Sequence, residues 1–180
     1  MEFDKDLRSI QEVRNLVAKA KAAQQIYADF SQEQVDRIVK AIAEACVANA
    51  ERLAKMAVEE TGFGVWQDKI LKNLLGSAIT YDSIKDLKTV GILTEDRQKQ
   101  VWEVAVPVGI VAALIPSTNP TSTAMYKTLI SLKAGNAIIL SPHPNAKNCI
   151  LETFQIISRA AAAAGAPAGL VQCITVPSQE

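Results

Sequence analysis

The feature that most constrains this chain is a change of hydrophobic period near residue 90. Before that point, apolar residues recur at the three-and-four spacing of amphipathic helices; after it, short unbroken apolar runs alternate with helical segments. Ser31 followed by Gln34 has the spacing of a capping box. Val35, Ile38, Ile42, Ala45, Leu53 and Met56 then continue at helical spacing, and Gly62 and Gly64 predict the stop. A second helical pattern runs from Val65 to Asp86 through Ile70, Leu74, Ile79 and Ile84. Residues 8–28 form a third, with Ile10, Val13, Val17 and Ala20 on one side. These faces are expected to pack on a larger body.

Beyond residue 90, Lys99 to Val106 alternates loosely and reads as a strand, and Val108 to Ile115 reads as a strand buried on both faces. A helix is predicted from Pro120 to Leu132, a strand from Asn136 to Leu140, and a helix from Asn145 to Ala164 that stops at Gly165 with Pro167 beyond it. Leu170 to Val176 is a last strand-like run. The order β-α-β-α-β predicts an α/β fold with a parallel sheet and right-handed crossovers. Residues 1–90 are the N-terminal helical segment and 91–180 one half of a doubly wound sheet. The final run leads into Pro177-Ser178-Gln179-Glu180 where a further helix is due, so the pattern predicts the N-terminal part of a larger protein.

Composition narrows the partners. Nineteen Lys and Arg balance nineteen Asp and Glu, which speaks against a large basic face for nucleic acid or an anionic membrane. Aromatic residues make up 5%, too few for a platform that stacks single-stranded bases. The longest apolar run, Val104 to Pro116, is interrupted by Pro107 and is shorter than the roughly 20 residues of a membrane helix. Cys46, Cys149 and Cys173 form no CxxC motif and His143 is the single histidine, which argues against a Cys/His metal site. The odd cysteine count and the acidic N-terminus without an apolar stretch predict a reducing cytoplasm.

Ligands of open α/β sheets bind beyond the carboxyl ends of the strands. Two segments fall there. The first is Ile115-Pro116-Ser117-Thr118-Asn119-Pro120-Thr121-Ser122-Thr123, where Asn119 suits an N-cap and Pro120 the first helical position. The helix start and the hydroxyls of Ser117, Thr118, Thr121 and Ser122 suit an anion such as a diphosphate; a simply well-capped helix is the alternative. The second is Ser141-Pro142-His143-Pro144-Asn145, a loop stiffened by two prolines that either presents His143 to an adenine or ribose or is an ordinary solvated turn. No GxGxxG fingerprint is present. Cys46 and Cys173 read as core residues, whereas Cys149 sits in a first helical turn, where a lowered thiol pKa is conceivable. Glu59 and Glu60, and the charges of residues 82–88, read as solvated helix faces.

At these loops the chain resembles the N-terminal part of the CoA-acylating aldehyde dehydrogenases, a group that includes the aldehyde half of bifunctional aldehyde-alcohol dehydrogenases. The resemblance is carried by Phe30-Ser31-Gln32-Glu33-Gln34-Val35-Asp36, by Met56-Ala57-Val58-Glu59-Glu60-Thr61-Gly62 and by residues 86–91. Pro116 to Thr123, Ile130-Ser131-Leu132-Lys133 and Ser141-Pro142-His143-Pro144 complete it in the family's order. It implies a Rossmann-type half-sheet and the reversible conversion of a short-chain aldehyde, NAD and coenzyme A to an acyl-CoA through a cysteine thioester. It further implies that Asn119 or Thr118 helps hold the developing oxyanion, an oxyanion-hole role. Ile115, Pro116, Ser117, Thr118, Asn119, Ser141, Pro142, His143 and Pro144 are then the cofactor contacts. The Lys-Pro-Ser-Glu type loop with which hydrolytic members grip a ribose is replaced here by Ser141 to Pro144. The family's nucleophilic cysteine matches none of the three present, so the 180-residue chain alone is expected to be inactive. A homo-oligomer is expected for the full-length protein. Two other readings are a non-catalytic nucleotide-binding module, and an interaction piece in which residues 1–25 dock to a partner or to a protein-shelled compartment.

Overall fold

The computed structural model describes residues 4–178. Helix α1 (Lys5–Tyr27) leads into α2 (Gln32–Ala48), α3 (Ala50–Thr61) and α4 (Trp66–Leu74). A π-helical turn, Leu75–Ile79, joins α4 to α5 (Thr80–Ile84). Strands β1 (Gly91–Asp96) and β2 (Val101–Ala105) follow, then β3 (Ile110–Ile115), α6 (Pro120–Lys133), β4 (Ala137–Pro142), α7 (Lys147–Ala163) and β5 (Val171–Cys173). The three later strands form a parallel sheet in the order β3-β4-β5. The α/β class and the β-α-β-α-β half-sheet of the sequence analysis are what the structure shows.

Several elements follow directly from local chemistry. Ser31 caps α2: its hydroxyl accepts the Gln34 N–H, and the Gln34 amide oxygen accepts the Ser31 N–H at 2.8 Å, the full reciprocal box. Gly62 takes the left-handed conformation that ends α3, at φ 69°. The single helix expected from Ser31 to Gly62 is instead two, because Asn49 leaves helical geometry and its side chain donates to the Ala45 carbonyl at 2.8 Å. One core joins these helices to the sheet. Tyr27, Ile38, Ile42 and Leu53 are buried with Ile138, Leu140, Leu129 and Ile157, and the Tyr27 hydroxyl donates to the Leu132 carbonyl at 3.0 Å.

Four expectations are corrected. Val17 was expected on the packed side of α1 but is 40% exposed; the helix packs through the smaller Ala20 and Ala23, with Tyr27. The strand expected in Lys99–Val106 forms, outside the parallel sheet. It is β2, paired antiparallel with β1 in a hairpin of its own. Gln100 holds a positive φ of 52° in its turn, and Asp96 accepts the N–H groups of Gln98 and Lys99. Strand β3 is buried on one face only. Ala113 and Ile115 are inside, whereas Leu114, between them in sequence, points to the opposite face and is 73% exposed. Ser141 and Pro142, read as loop, are the last residues of β4, paired with Leu114 and Ile115.

The fourth correction concerns the segment from Val65 to Asp86. Its apolar stripe was expected to pack inward. Of that stripe Ile70, Leu74 and Ile84 are half-buried and Ile79 is exposed, whereas the fully buried side chains are the polar Lys69, Asn73, Ser77 and Thr80. The reason is the surface it meets. It lies against the start of α3 and the turn leading into α6, where the Ala50 and Thr118 carbonyls and the Thr121 hydroxyl are its hydrogen-bond partners.

Candidate functional site at the carboxyl ends of β3 and β4

The two candidate segments meet. The His143 N–H donates to the Ile115 carbonyl at 3.0 Å, so the residues following β4 are bonded to the last residue of β3. Ile115 and Pro142 are buried, Ser117, Asn119 and Ser141 half-buried, and Pro116, Thr118, His143 and Pro144 exposed. His143 Nδ1 accepts the Asn145 N–H at 3.1 Å, which places the proton of the neutral ring on the outward Nε2. Pro144 opens the 3-10 turn Pro144–Ala146 that leads into α7.

Pro120 occupies the first position of α6, as expected. Asn119 stands at the N-cap position, but its side chain does not cap the helix. Its amide oxygen accepts a hydrogen bond from Lys72 Nζ at 3.0 Å instead. The Asn119 carbonyl accepts the Thr123 N–H at 3.2 Å and the Thr123 hydroxyl at 2.6 Å. One turn earlier on α4, Lys69 donates to the Thr118 carbonyl at 2.7 Å. Lys69 is 4% exposed and has no carboxylate partner among the described residues. Burial lowers its pKa, and the charge of Lys72 lowers it further. Asn73 completes the join: it donates to the Ala50 carbonyl at 2.8 Å and accepts the Thr121 hydroxyl at 2.7 Å.

The backbones of α6 and the π turn approach closely at Gly76, where a Cβ would stand 2.5 Å from the Ser122 carbonyl oxygen. Beside this crossing lies a cavity of about 500 Å³. Lys72, Leu75, Gly76, Asn119, Ser122 and Tyr126 are on its wall. It is open and largely apolar, with polar groups contributed by Lys72, Thr80, Asn119, Ser122 and Thr123.

Sequence reasoning found the two segments but missed Lys69, Lys72, Asn73 and Gly76. The signal was present: Lys69, Asn73, Ser77 and Thr80 recur at helical spacing as a polar stripe between exposed leucines. Amphipathicity alone reads such a stripe as solvent-facing.

The cysteines offer no nucleophile. Burial pushes the Cys46 and Cys173 thiols up to about 12, the Glu12 carboxylate adding to the effect at Cys173. The Cys149 thiol is buried, donates to the Ala146 carbonyl at 3.3 Å, and is raised first by burial and then by Glu60. The low thiol pKa conceivable for a first helical turn is therefore overturned, because Glu60 already answers the N–H groups of that turn. Glu60 is thus not a solvated charge but the cap of α7. Among the described residues no group of three His, Cys, Asp or Glu side chains could hold a metal, and no helix is long and apolar enough to cross a membrane.

Helices packed on a half-sheet, with a polar turn and a pocket at the carboxyl end of its first strand, define a class that comparison with known proteins names. The chain belongs to the aldehyde dehydrogenase family, whose model matches residues 7–180. It is 48% identical over 172 residues to the bifunctional aldehyde-alcohol dehydrogenase AdhE of Escherichia coli K12, covering 96% of this chain and 19% of that protein. It is 42% identical over 168 residues to the succinate-semialdehyde dehydrogenase (acetylating) of Clostridium kluyveri, covering 93% of this chain and 37% of that protein. Among solved structures, an acetylating aldehyde dehydrogenase from Geobacillus thermoglucosidasius superposes with a TM-score of 0.96 at 56% identity, over 99% of this chain and 39% of that one. A Rhodopseudomonas palustris propionaldehyde dehydrogenase solved with bound CoA and an acylated cysteine superposes at 0.77 with 32% identity, over 92% and 37%. The chain thus spans between about a fifth and two fifths of the length of these relatives.

Proposed function

We propose that this chain serves a CoA-acylating aldehyde dehydrogenase that converts a short-chain aldehyde, NAD and coenzyme A to an acyl-CoA and NADH. In this reading residues 1–90 are the helical segment that braces the site, and residues 91–180 the first half of the domain that binds NAD and CoA. Bound NAD supplies the hydride acceptor. The thiolate comes from outside these 180 residues, since Cys46, Cys149 and Cys173 are all buried with raised thiol pKa values. As that thiolate adds to the aldehyde carbon, the carbonyl oxygen becomes an alkoxide and needs a hydrogen-bond donor aimed at it.

The observation that carries the reading is the free end of the Asn119 amide. Its NH₂ has no partner among the described residues, and Asn119 is on the wall of the 500 Å³ cavity. Thr118 is exposed and is not on that wall, which supports Asn119 over Thr118 as the oxyanion donor. The outward Nε2 of His143 and the hydroxyls of Ser117 and Thr118, which have no partner among the described residues, suit the polar groups of an adenosine diphosphate. The same cleft would serve NAD and CoA in turn. We extend the reading to a homo-oligomer in the cytoplasm or a protein-shelled compartment, with the exposed Leu7 and Val17 of α1 as an outer docking face.

The test is aldehyde- and CoA-dependent NADH formation by the intact protein. Asn119→Ala is expected to lower kcat about a hundredfold, the scale of one oxyanion donor, with the kcat of Thr118→Val close to wild type. Absence of any CoA-dependent turnover in the intact protein overturns the reading in favour of a binding module.

A further inference from the structure

We infer that Lys72 is a positioning residue for this reaction, one that fixes which end of the Asn119 side chain faces the pocket; the inference rests on the oxyanion role just given to Asn119. An asparagine amide has a donor end and an acceptor end of nearly the same shape, and only the donor end helps an alkoxide. The backbone of Asn119 is already held, its carbonyl accepting both the N–H and the hydroxyl of Thr123. The neighbouring Thr118 carbonyl is held by buried Lys69. What remains free is the flip of the amide about its last bond. Lys72 Nζ lies 3.0 Å from the amide oxygen. An ammonium has three donors and no acceptor, so it tolerates the oxygen and rejects the NH₂.

The consequence is a directed dipole. With its oxygen bound to Lys72, the amide presents its NH₂ away from α4, where no protein group takes it. Lys72 has no carboxylate partner among the described residues, so its charge is not cancelled there. It polarises the amide, which strengthens the outward N–H as a donor. In the opposite flip the amide oxygen would meet the alkoxide and repel it. Lys69 and Lys72, one turn apart on α4, thus divide the work: the first sets the backbone of the turn, the second the polarity of the side chain.

The experiment is a double-substitution cycle on Lys72 and Asn119 in the intact enzyme, read as kcat and KM for aldehyde. Lys72 is exposed, so Lys72→Met is expected to fold, and circular dichroism confirms it. Lys72→Met is expected to lower kcat about tenfold with KM within about twofold, since losing orientation costs less than losing the donor. Lys72→Arg, which also lacks an acceptor, is expected to restore most of kcat. Lys72→Met in the Asn119→Ala background is expected to have no further effect. Wild-type kcat in Lys72→Met, or a full additional loss in the double variant, overturns the positioning role while leaving the oxyanion role of Asn119 intact. Unchanged kcat in Asn119→Ala removes the oxyanion role and this inference with it.

Discussion

Glu60, near the end of α3, closes the start of α7: its two carboxylate oxygens accept the backbone N–H groups of Asn148 and Cys149, each at 2.7 Å. A cap supplied across the fold does two things a local cap cannot. It satisfies two of the four orphan donors of the helix, and it ties α3 to the segment that follows His143. Glu60→Ala is expected to destabilise the fold by about 1–2 kcal/mol, and Glu60→Gln by less, since one acceptor oxygen survives without its charge. Urea unfolding gives the values; an unchanged midpoint in Glu60→Ala would show that water replaces the cap at no cost.

The three thiols should be silent in the folded protein. At pH 8 a thiol reagent is expected to label none of Cys46, Cys149 and Cys173 before unfolding and all three after it. Rapid labelling of Cys149 in the native state would falsify its assignment as an inert core residue.

Those same thiols predict alkaline loss of stability. Cys46 and Cys173 rise from an ordinary 9.0 to about 12 in the fold. A raised pKa means that the folded state holds its proton where the unfolded chain has released it. Their contribution is therefore complete below pH 9 and is lost as pH rises toward 12, at about 1 kcal/mol per pH unit for each group. Urea midpoints taken under reductant should be level from pH 7 to 8.5 and fall above it. The same series in Cys46→Ala should fall less steeply; an equal slope in both would assign the effect elsewhere.

Gly76 is the contact point between the π turn and α6. Gly76→Ala places a methyl 2.5 Å from the Ser122 carbonyl oxygen, a backbone atom that cannot rotate away. The expected cost is about 1–3 kcal/mol. The same push separates α4 from Asn119, so kcat of the intact protein should fall as well. Wild-type stability would mean that the two helices part freely there.

Lys133 is 3% exposed, paired with Asp36 and donating to the Lys85 carbonyl at 2.9 Å. Asp36 is partly solvated and can recover water, so Lys133→Met is expected to cost about 2 kcal/mol, below the range for two fully buried partners. Adding Asp36→Asn should return part of that loss; a purely additive double variant would show that the pair itself contributes nothing.

How much of this was legible depended on whether the signal was local. The capping box at Ser31, the stop at Gly62, Pro120 at the start of α6 and the apolar run of β4 are set by neighbours in sequence, and each was read correctly. Asn49 broke a helix whose apolar spacing continued across it, because one side chain competed for a backbone carbonyl. β1 escaped notice because Gly91, Thr94, Glu95 and Asp96 face solvent in a hairpin that no buried face imprints on the sequence. At the site, Asn119 was found from its place before Pro120, but its partner Lys72 lies 47 residues away. No spacing rule spans that distance; only packing of α4 against α6 brings the two together.

The π turn at Leu75–Ile79 gives that packing a definite phase. Such a turn holds one residue more than the α-helix it interrupts, and each residue carries about 100° of rotation. Counted from α5, every side chain of α4 is therefore turned by that angle. Deleting a single residue between Leu75 and Ile79 would restore an unbroken helix and swing Lys69 and Lys72 together off the β3–α6 turn. The alignment of two lysines with one loop is in this sense a matter of counting, set by one surplus residue before the bonds to Thr118 and Asn119 can form.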